Sequence, residues 1–113
     1  MIPLGEKQQK FALMLAEFIL WLNKSGYKVR IGEVWRPQEM QDLYVRTGRS
    51  KAKYSKHQDK VAADLAIFKN GLWLKTKEDL KDIGKHWEEM DADNRWGGNF
   101  QSIVDCPHFE FAG

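Results

Sequence analysis

The stretch "SKHQDKVAADLAIFKNGLWL", residues 55–74, decides how the chain folds. From Val61 to Phe68 it is apolar apart from Asp64, a run of the length and composition of a buried strand. "KNG" (69–71) then makes a tight turn, because Asn and Gly tolerate the left-handed backbone that two-residue turns demand, and "LWL" returns as the second arm of a hairpin. Desolvating an ionised carboxylate is costly unless a cation or hydrogen bonds compensate. Asp64, set among Ala62, Ala63, Leu65, Ala66 and Ile67, therefore needs a partner, and the flanking alanines leave room for one.

Outward from this hairpin the pattern is mixed. A first helix covers residues 6–24 and stops at "NKSGY", where Gly26 takes the left-handed cap. A strand follows in "KVRIGEVW" (28–35), with Val29, Ile31 and Glu33 on one face. Pro37 opens a second helix, "PQEMQDLYVRTG", in which Met40, Leu43 and Tyr44 recur at helical spacing. "RSKAKYSK" (49–56) reads as a basic loop. A third helix, 76–90, begins at Thr76 as N-cap and buries Leu80, Ile83 and Trp87, leaving His86 exposed. "NRWGGNF" is a glycine-containing loop, and "HFEF" (108–111) a last short strand. This order fits no parallel βαβ pattern; it predicts an α+β domain with helices packed on a small antiparallel sheet.

At 113 residues, 42% of them hydrophobic and 30% charged, the chain makes one globular domain, residues 1–113. A formal charge of +2 is a mild surplus that favours an anionic partner without naming one. The single Cys106 excludes an internal disulfide and a CxxC metal cluster, so any metal is held by His and carboxylates. "FALMLAEFILWL" (11–22) has the outline of a signal peptide's apolar middle. Glu17 interrupts it, no small-x-small site follows, and about 20 apolar residues are needed to span a bilayer, so it reads as an amphipathic helix.

His57 lies seven residues before Asp64, across a loop that folds back, and an imidazole with a carboxylate is a common pair of zinc ligands. In "DCPHFEF" His108 and Glu110 share one strand face while Phe109 and Phe111 take the other, so His108 is a third candidate. Three protein ligands leave an open position for a water acidified by the metal. Asp105, three residues before His108, suits the role of a base that accepts that water's proton. Arg36, at a strand-to-helix junction, suits oxyanion or carboxylate recognition. The residue types alone also admit blander roles: His57 on a surface loop, Asp64 paired with Lys60, His108 on an edge strand, and Arg36 in a surface ion pair with Glu39 or Asp42.

Three blocks in order resemble a known family. "SKHQDKVAAD" (55–64) resembles the SxHxxGxAxD element, and "RWGGNFQSIVDCPHFEF" (95–111) the WGG and DxPHFE elements, of the zinc peptidases that cut bacterial cell-wall peptides. "EVWRPQEMQDLY" (33–44) is similar to that family's arginine followed by a Gln-containing helix. The resemblance implies that His57, Asp64 and His108 bind Zn2+, that Asp105 is the general base, and that Arg36 steadies substrate or oxyanion. It also implies that Ser55, Trp96, Gly97 and Gly98 contact substrate or line the cleft, and that Glu110 holds the tautomer of a ligand imidazole. Lys60 departs from the pattern: it stands where the motif has glycine, and a positive φ there would strain it.

The reaction implied is hydrolysis of a peptidoglycan stem-peptide amide by an L-alanyl-D-glutamate endopeptidase of the phage-lysin kind. The alternatives are a D-alanyl-D-alanine carboxypeptidase or dipeptidase, and a non-catalytic, metal-stabilised module of a phage particle. The implied partner is bacterial peptidoglycan, met by a monomer that binds no nucleic acid and does not insert into membranes. Such a lysin waits in the host cytoplasm and is released to the wall.

Overall fold

The computed structural model describes residues 2–51 and 54–113. Ala52 and Lys53 of the expected basic loop lie outside the described residues. Three helices, α1 (Leu4–Lys24), α2 (Gln38–Arg46) and α3 (Lys77–Met90), accompany five strands, β1 (Lys28–Ile31), β2 (Ala62–Lys69), β3 (Leu72–Leu74), β4 (Asn94–Trp96) and β5 (His108–Phe111). All strand pairs are antiparallel, in the order β1-β2-β5-β4 with β3 also on β2, so the α+β architecture expected from the sequence is the one observed.

The hairpin centres the sheet. Asn70 and Gly71 both take positive φ, 53° and 78°, which closes the two-residue turn between β2 and β3. Along β2, Ala63, Leu65 and Ile67 face the helices and are buried, while Asp64, Ala66 and Phe68 alternate to the other face and are only half-buried. Asp64 is therefore not sunk in the core; the period of two turns it out of the apolar layer. Phe11, Met14, Phe18 and Leu22 of α1 and Leu80, Ile83 and Trp87 of α3 supply the opposite wall of that layer, joined by Phe109 and Phe111. The cap of α3 is as expected, the Thr76 hydroxyl accepting the Asp79 amide at 3.1 Å.

Several expectations are corrected. The strand of 28–35 ends at Ile31. Residues beyond it still follow β2 irregularly, the Gly32 amide on Asp64 O and the Glu33 carbonyl taking the Asp64 amide, which carries Glu33 and Arg36 over the sheet's outer face. In α2 the fully buried side chain is Gln41, not Met40, Leu43 or Tyr44, because its carboxamide is bonded to Arg36 and Ser50. "NRW" is a strand rather than loop, β4, paired with Phe109–Phe111 of β5. His86 is half-buried, its ring stacked on Trp21 at 3.6 Å. Helix α1 contains no stretch long and apolar enough to cross a membrane, nor does any other described helix.

Lys60 sits at φ 60°, ψ 34°, in the left-handed region that an L side chain adopts only at a cost. It closes the 3-10 turn Lys56–Asp59, which carries His57. Lys60→Gly is expected to raise stability by roughly 0.5–1 kcal/mol, the relief of strain outweighing the added freedom of the unfolded chain. A urea titration of the two proteins checks this through the shift in midpoint at unchanged slope.

Candidate metal centre

Register sets the first two groups side by side. β2 and β5 pair Asp64 directly with His108, and directly opposed residues of an antiparallel pair share a face. The 3-10 turn then brings in His57. Ser55 caps that turn, its hydroxyl accepting the His57 amide at 3.2 Å while the Gln58 side chain takes the Ser55 amide at 3.0 Å. The ligating atoms form a compact triangle: His57 Nε2 to Asp64 Oδ1 is 3.2 Å, His57 Nε2 to His108 Nδ1 is 3.1 Å, and His108 Nδ1 to Asp64 Oδ1 is 3.5 Å.

Each imidazole is held from behind. His57 Nδ1 donates to Val34 O at 3.0 Å, and His108 Nε2 donates to the Glu110 carboxylate at 2.7 Å. These bonds leave the inward nitrogens as bare lone pairs aimed, with a carboxylate oxygen, at one point. Ligand atoms bound 2.0–2.1 Å from a tetrahedral ion stand about 3.3 Å apart, the spacing of this triangle. Three acceptors without a donor between them fit a cation. The buried His57 and His108 and half-buried Asp64 are the group of described residues that can hold a metal ion.

The same geometry stabilises a proton when a metal is withdrawn. Burial alone would lower the His108 pKa, but bonds to Asp64 and Glu110 push it up to about 9. Burial would raise Asp64, yet hydrogen bonds from both histidines and their charge hold its carboxyl well below the ordinary range. A histidine whose folded pKa exceeds its unfolded value of about 6.5 contributes stability that is complete below that value and is lost as pH rises through the folded pKa. The chelator-treated protein is thus expected to lose up to roughly 3 kcal/mol between pH 6.5 and 9, read as a falling urea midpoint.

Around the triangle lies a cleft of about 810 Å³ whose walls include Glu33, Arg36, Tyr44, Ser55, Asp105 and Glu110. Asp105 Oδ2 is 3.9 Å from His108 Nδ1, and its pKa is raised, first by burial and then by the charge of Asp64. Arg36 is buried rather than a surface group: Nε bonds Glu33 Oε1 at 2.6 Å, Nη1 bonds Gln41 Oε1 at 2.8 Å, and the guanidinium lies 4.6 Å over the Tyr44 ring. Glu33, Gln41 and Tyr44 escaped the sequence reading, although Glu33 three residues ahead of Arg36 is an ion-pair signal.

Trp96, Gly97 and Gly98 are not in the cleft wall. Trp96 is buried, donating Nε1–H to Cys106 O at 2.8 Å, with its ring between Gly84 of α3 and Gly98. A Cβ at Gly97 would stand 2.1 Å from Asp105 O and 2.8 Å from His108 Cβ. The glycines thus let the loop close onto the segment that carries Asp105 and His108, and serve the site from beneath.

A family model described as D-alanyl-D-alanine carboxypeptidase matches residues 48–111, more than half of the chain. The chain belongs to this family. The D-alanyl-D-alanine carboxypeptidase family consists of metallopeptidases, and its match spans all three metal-facing residues. The fold is similar to the crystal structure of the L-Ala D-Glu endopeptidase ChiX of Serratia marcescens, with a TM-score of 0.61 and 23% identity over 74% of this chain. That likeness spans 65% of the ChiX chain. Comparison with curated protein sequences gives no match.

Proposed function

We propose that residues 1–113 form a zinc-dependent peptidase domain that hydrolyses an amide bond of the peptidoglycan stem peptide, with L-alanyl-D-glutamate as the bond cut. The observation that carries this reading is the donor-free triangle of His57 Nε2, Asp64 Oδ1 and His108 Nδ1 beside a free carboxylate. Family membership and the ChiX-like fold support the substrate class.

In this reading His57, Asp64 and His108 hold the ion, with Glu110 and the Val34 carbonyl fixing both imidazoles. A divalent ion bound there supplies Lewis acidity, polarising a carbonyl and acidifying water at neutral pH. Asp105, on the cleft wall with Oδ2 3.9 Å from His108 Nδ1, takes the proton of the attacking water and returns it to the leaving amine. Arg36, braced by Glu33, Gln41 and Tyr44, keeps a rigid guanidinium at the cleft wall, where its remaining N–H groups steady the substrate carbonyl or carboxylate. Ser55 acts on the centre by capping the turn that presents His57.

Digestion of purified wall, with the new termini identified, tests the reading. New alanine C-termini with glutamate N-termini are expected. Release of free D-alanine would assign the carboxypeptidase reaction, and an intact wall in the presence of bound zinc would assign a binding module.

A further inference from the structure

The edge strand of the cleft floor brings in an arginine that the chemistry above does not use. β4 pairs with β5 so that Arg95 stands directly opposite Glu110, and Glu110 shares a strand face with His108. Arg95 therefore lies on the side of the sheet that carries the metal centre, and it lines the cleft. It stands across the centre from Glu33 and Arg36, which run along the β1 side of β2. Its backbone is held on both sides by buried neighbours: the Asn94 carboxamide donates to Trp87 O at 2.9 Å, and Trp96 Nε1 donates to Cys106 O at 2.8 Å.

The charges of the cleft leave Arg95 without a counter-ion. Asp64 faces the two imidazoles, Glu110 accepts from His108, and Glu33 is paired with Arg36. Among the described residues Arg95 has no carboxylate within ion-pair distance and no aromatic ring beneath it, and it is exposed. Arg49, also on the cleft wall, differs in lying 4.5 Å over the Tyr44 ring, past the end of α2 rather than on the sheet. A planar fork of donors is the group that takes a carboxylate through two parallel bonds. From Arg95 Cα to the middle of the Asp64–His108 pair is one and a half strand spacings across and two residues along, about 10 Å. An inward-reaching arginine covers most of that span, and the remainder is the length of a short carboxylate-bearing group on the residue beside the reacting bond.

We infer that Arg95 binds the free carboxylate of the glutamate whose amide bond is cut, and so makes the domain prefer stem peptides that carry this carboxylate over those in which it is an amide. The inference rests on the peptidoglycan reading above and adds a recognition group to it. A glutamate inside a chain spends one of its two carboxyls on the onward link and keeps the other, so the anion is present in the uncut substrate. Arg36, already offset by Glu33, is left for the carbonyl. The competing role, in which Arg95 only offsets the charge of Glu110 across the strands, would act alike on acid and amide peptides.

The test uses the zinc-loaded whole protein and two soluble peptides: N-acetyl-L-alanyl-D-γ-glutamyl-L-lysine amide, whose glutamate carboxylate is its only one, and the same peptide with that carboxylate converted to a carboxamide. Binding is measured by calorimetry in the Asp105→Asn protein, and cleavage in the protein with Asp105 intact. With Arg95 in place the acid peptide is expected to bind about tenfold tighter than the amide, the gap narrowing as salt rises, and kcat/KM to show the same preference through KM. In Arg95→Gln both preferences should shrink to within about twofold. Equal binding of the two peptides with Arg95 in place, binding of neither, or a preference that Arg95→Gln keeps in full would each overturn the inference. A loss in Arg95→Gln that is equal for both peptides would overturn it as well, assigning Arg95 to the charge of Glu110. Acid-selective binding with cleavage of neither peptide would overturn the peptidase reading and leave the carboxylate subsite standing.

Discussion

Asp105→Asn is expected to keep its bound metal and lose about 10²–10⁴-fold in the rate of wall hydrolysis, the usual worth of a positioned general base. The carboxamide has nearly the same shape, so the loop between Gly97 and His108 keeps its packing: the Asp105 amide still donates to Gly97 O at 2.9 Å, and the His108 amide to Asp105 O at 3.1 Å. What disappears is the acceptor. Asp105 stands beyond the ligand triangle, 3.9 Å from His108 Nδ1, outside the group of ligand atoms yet near enough to reach a water lying between them. Metal content by elemental analysis and turnover by release of soluble wall fragments separate the two roles. An Asp105→Asn protein that lyses walls at the wild-type rate would remove Asp105 from the chemistry, and one that loses its metal would make it a ligand.

Much of this arrangement was legible because short-range rules and tertiary demands agree. The Asn70-Gly71 turn and the Thr76 cap are local features, and the structure adopts them. An isolated carboxylate in an apolar strand called for a partner, and the β2–β5 register supplies His108 directly opposite. Other features have no local signal. Three residues, Asn94–Trp96, are too few to show a period, and they become a strand only because β5 offers a free edge. Gln41 looks like a solvent residue of α2; burying it depends on Arg36, five positions earlier, entering the same space. The family resemblance implied a cleft wall at Trp96, Gly97 and Gly98, yet Trp96 is buried because Gly84, on α3, allows its ring to pass. Lys60 shows the reverse: a lysine at the motif's glycine position suggested a different local turn, and the turn instead keeps a left-handed backbone with the lysine in it.

Asp64→Asn should abolish metal retention and hydrolysis together. The substitution preserves volume and the backbone bonds of β2, including the Asp64 amide to Glu33 O and the Gly32 amide to Asp64 O, so the strand is not expected to move. It replaces a charged acceptor with a carboxamide, whose N–H₂ end can turn toward His57 Nε2 and His108 Nδ1 and satisfy them without any ion. The drive to bind a cation then falls twice, through the lost negative charge and through lone pairs already occupied. The loss should exceed the roughly 10–100-fold that removal of an outer partner such as Glu110 costs. Because a ligand that binds only the folded state raises its stability, wild-type protein should melt at a higher temperature when zinc is added, and Asp64→Asn should not. A variant that still melts higher with zinc, and elutes with the metal after dialysis, would show that the two histidines suffice and that the carboxylate in the middle of β2 has another purpose.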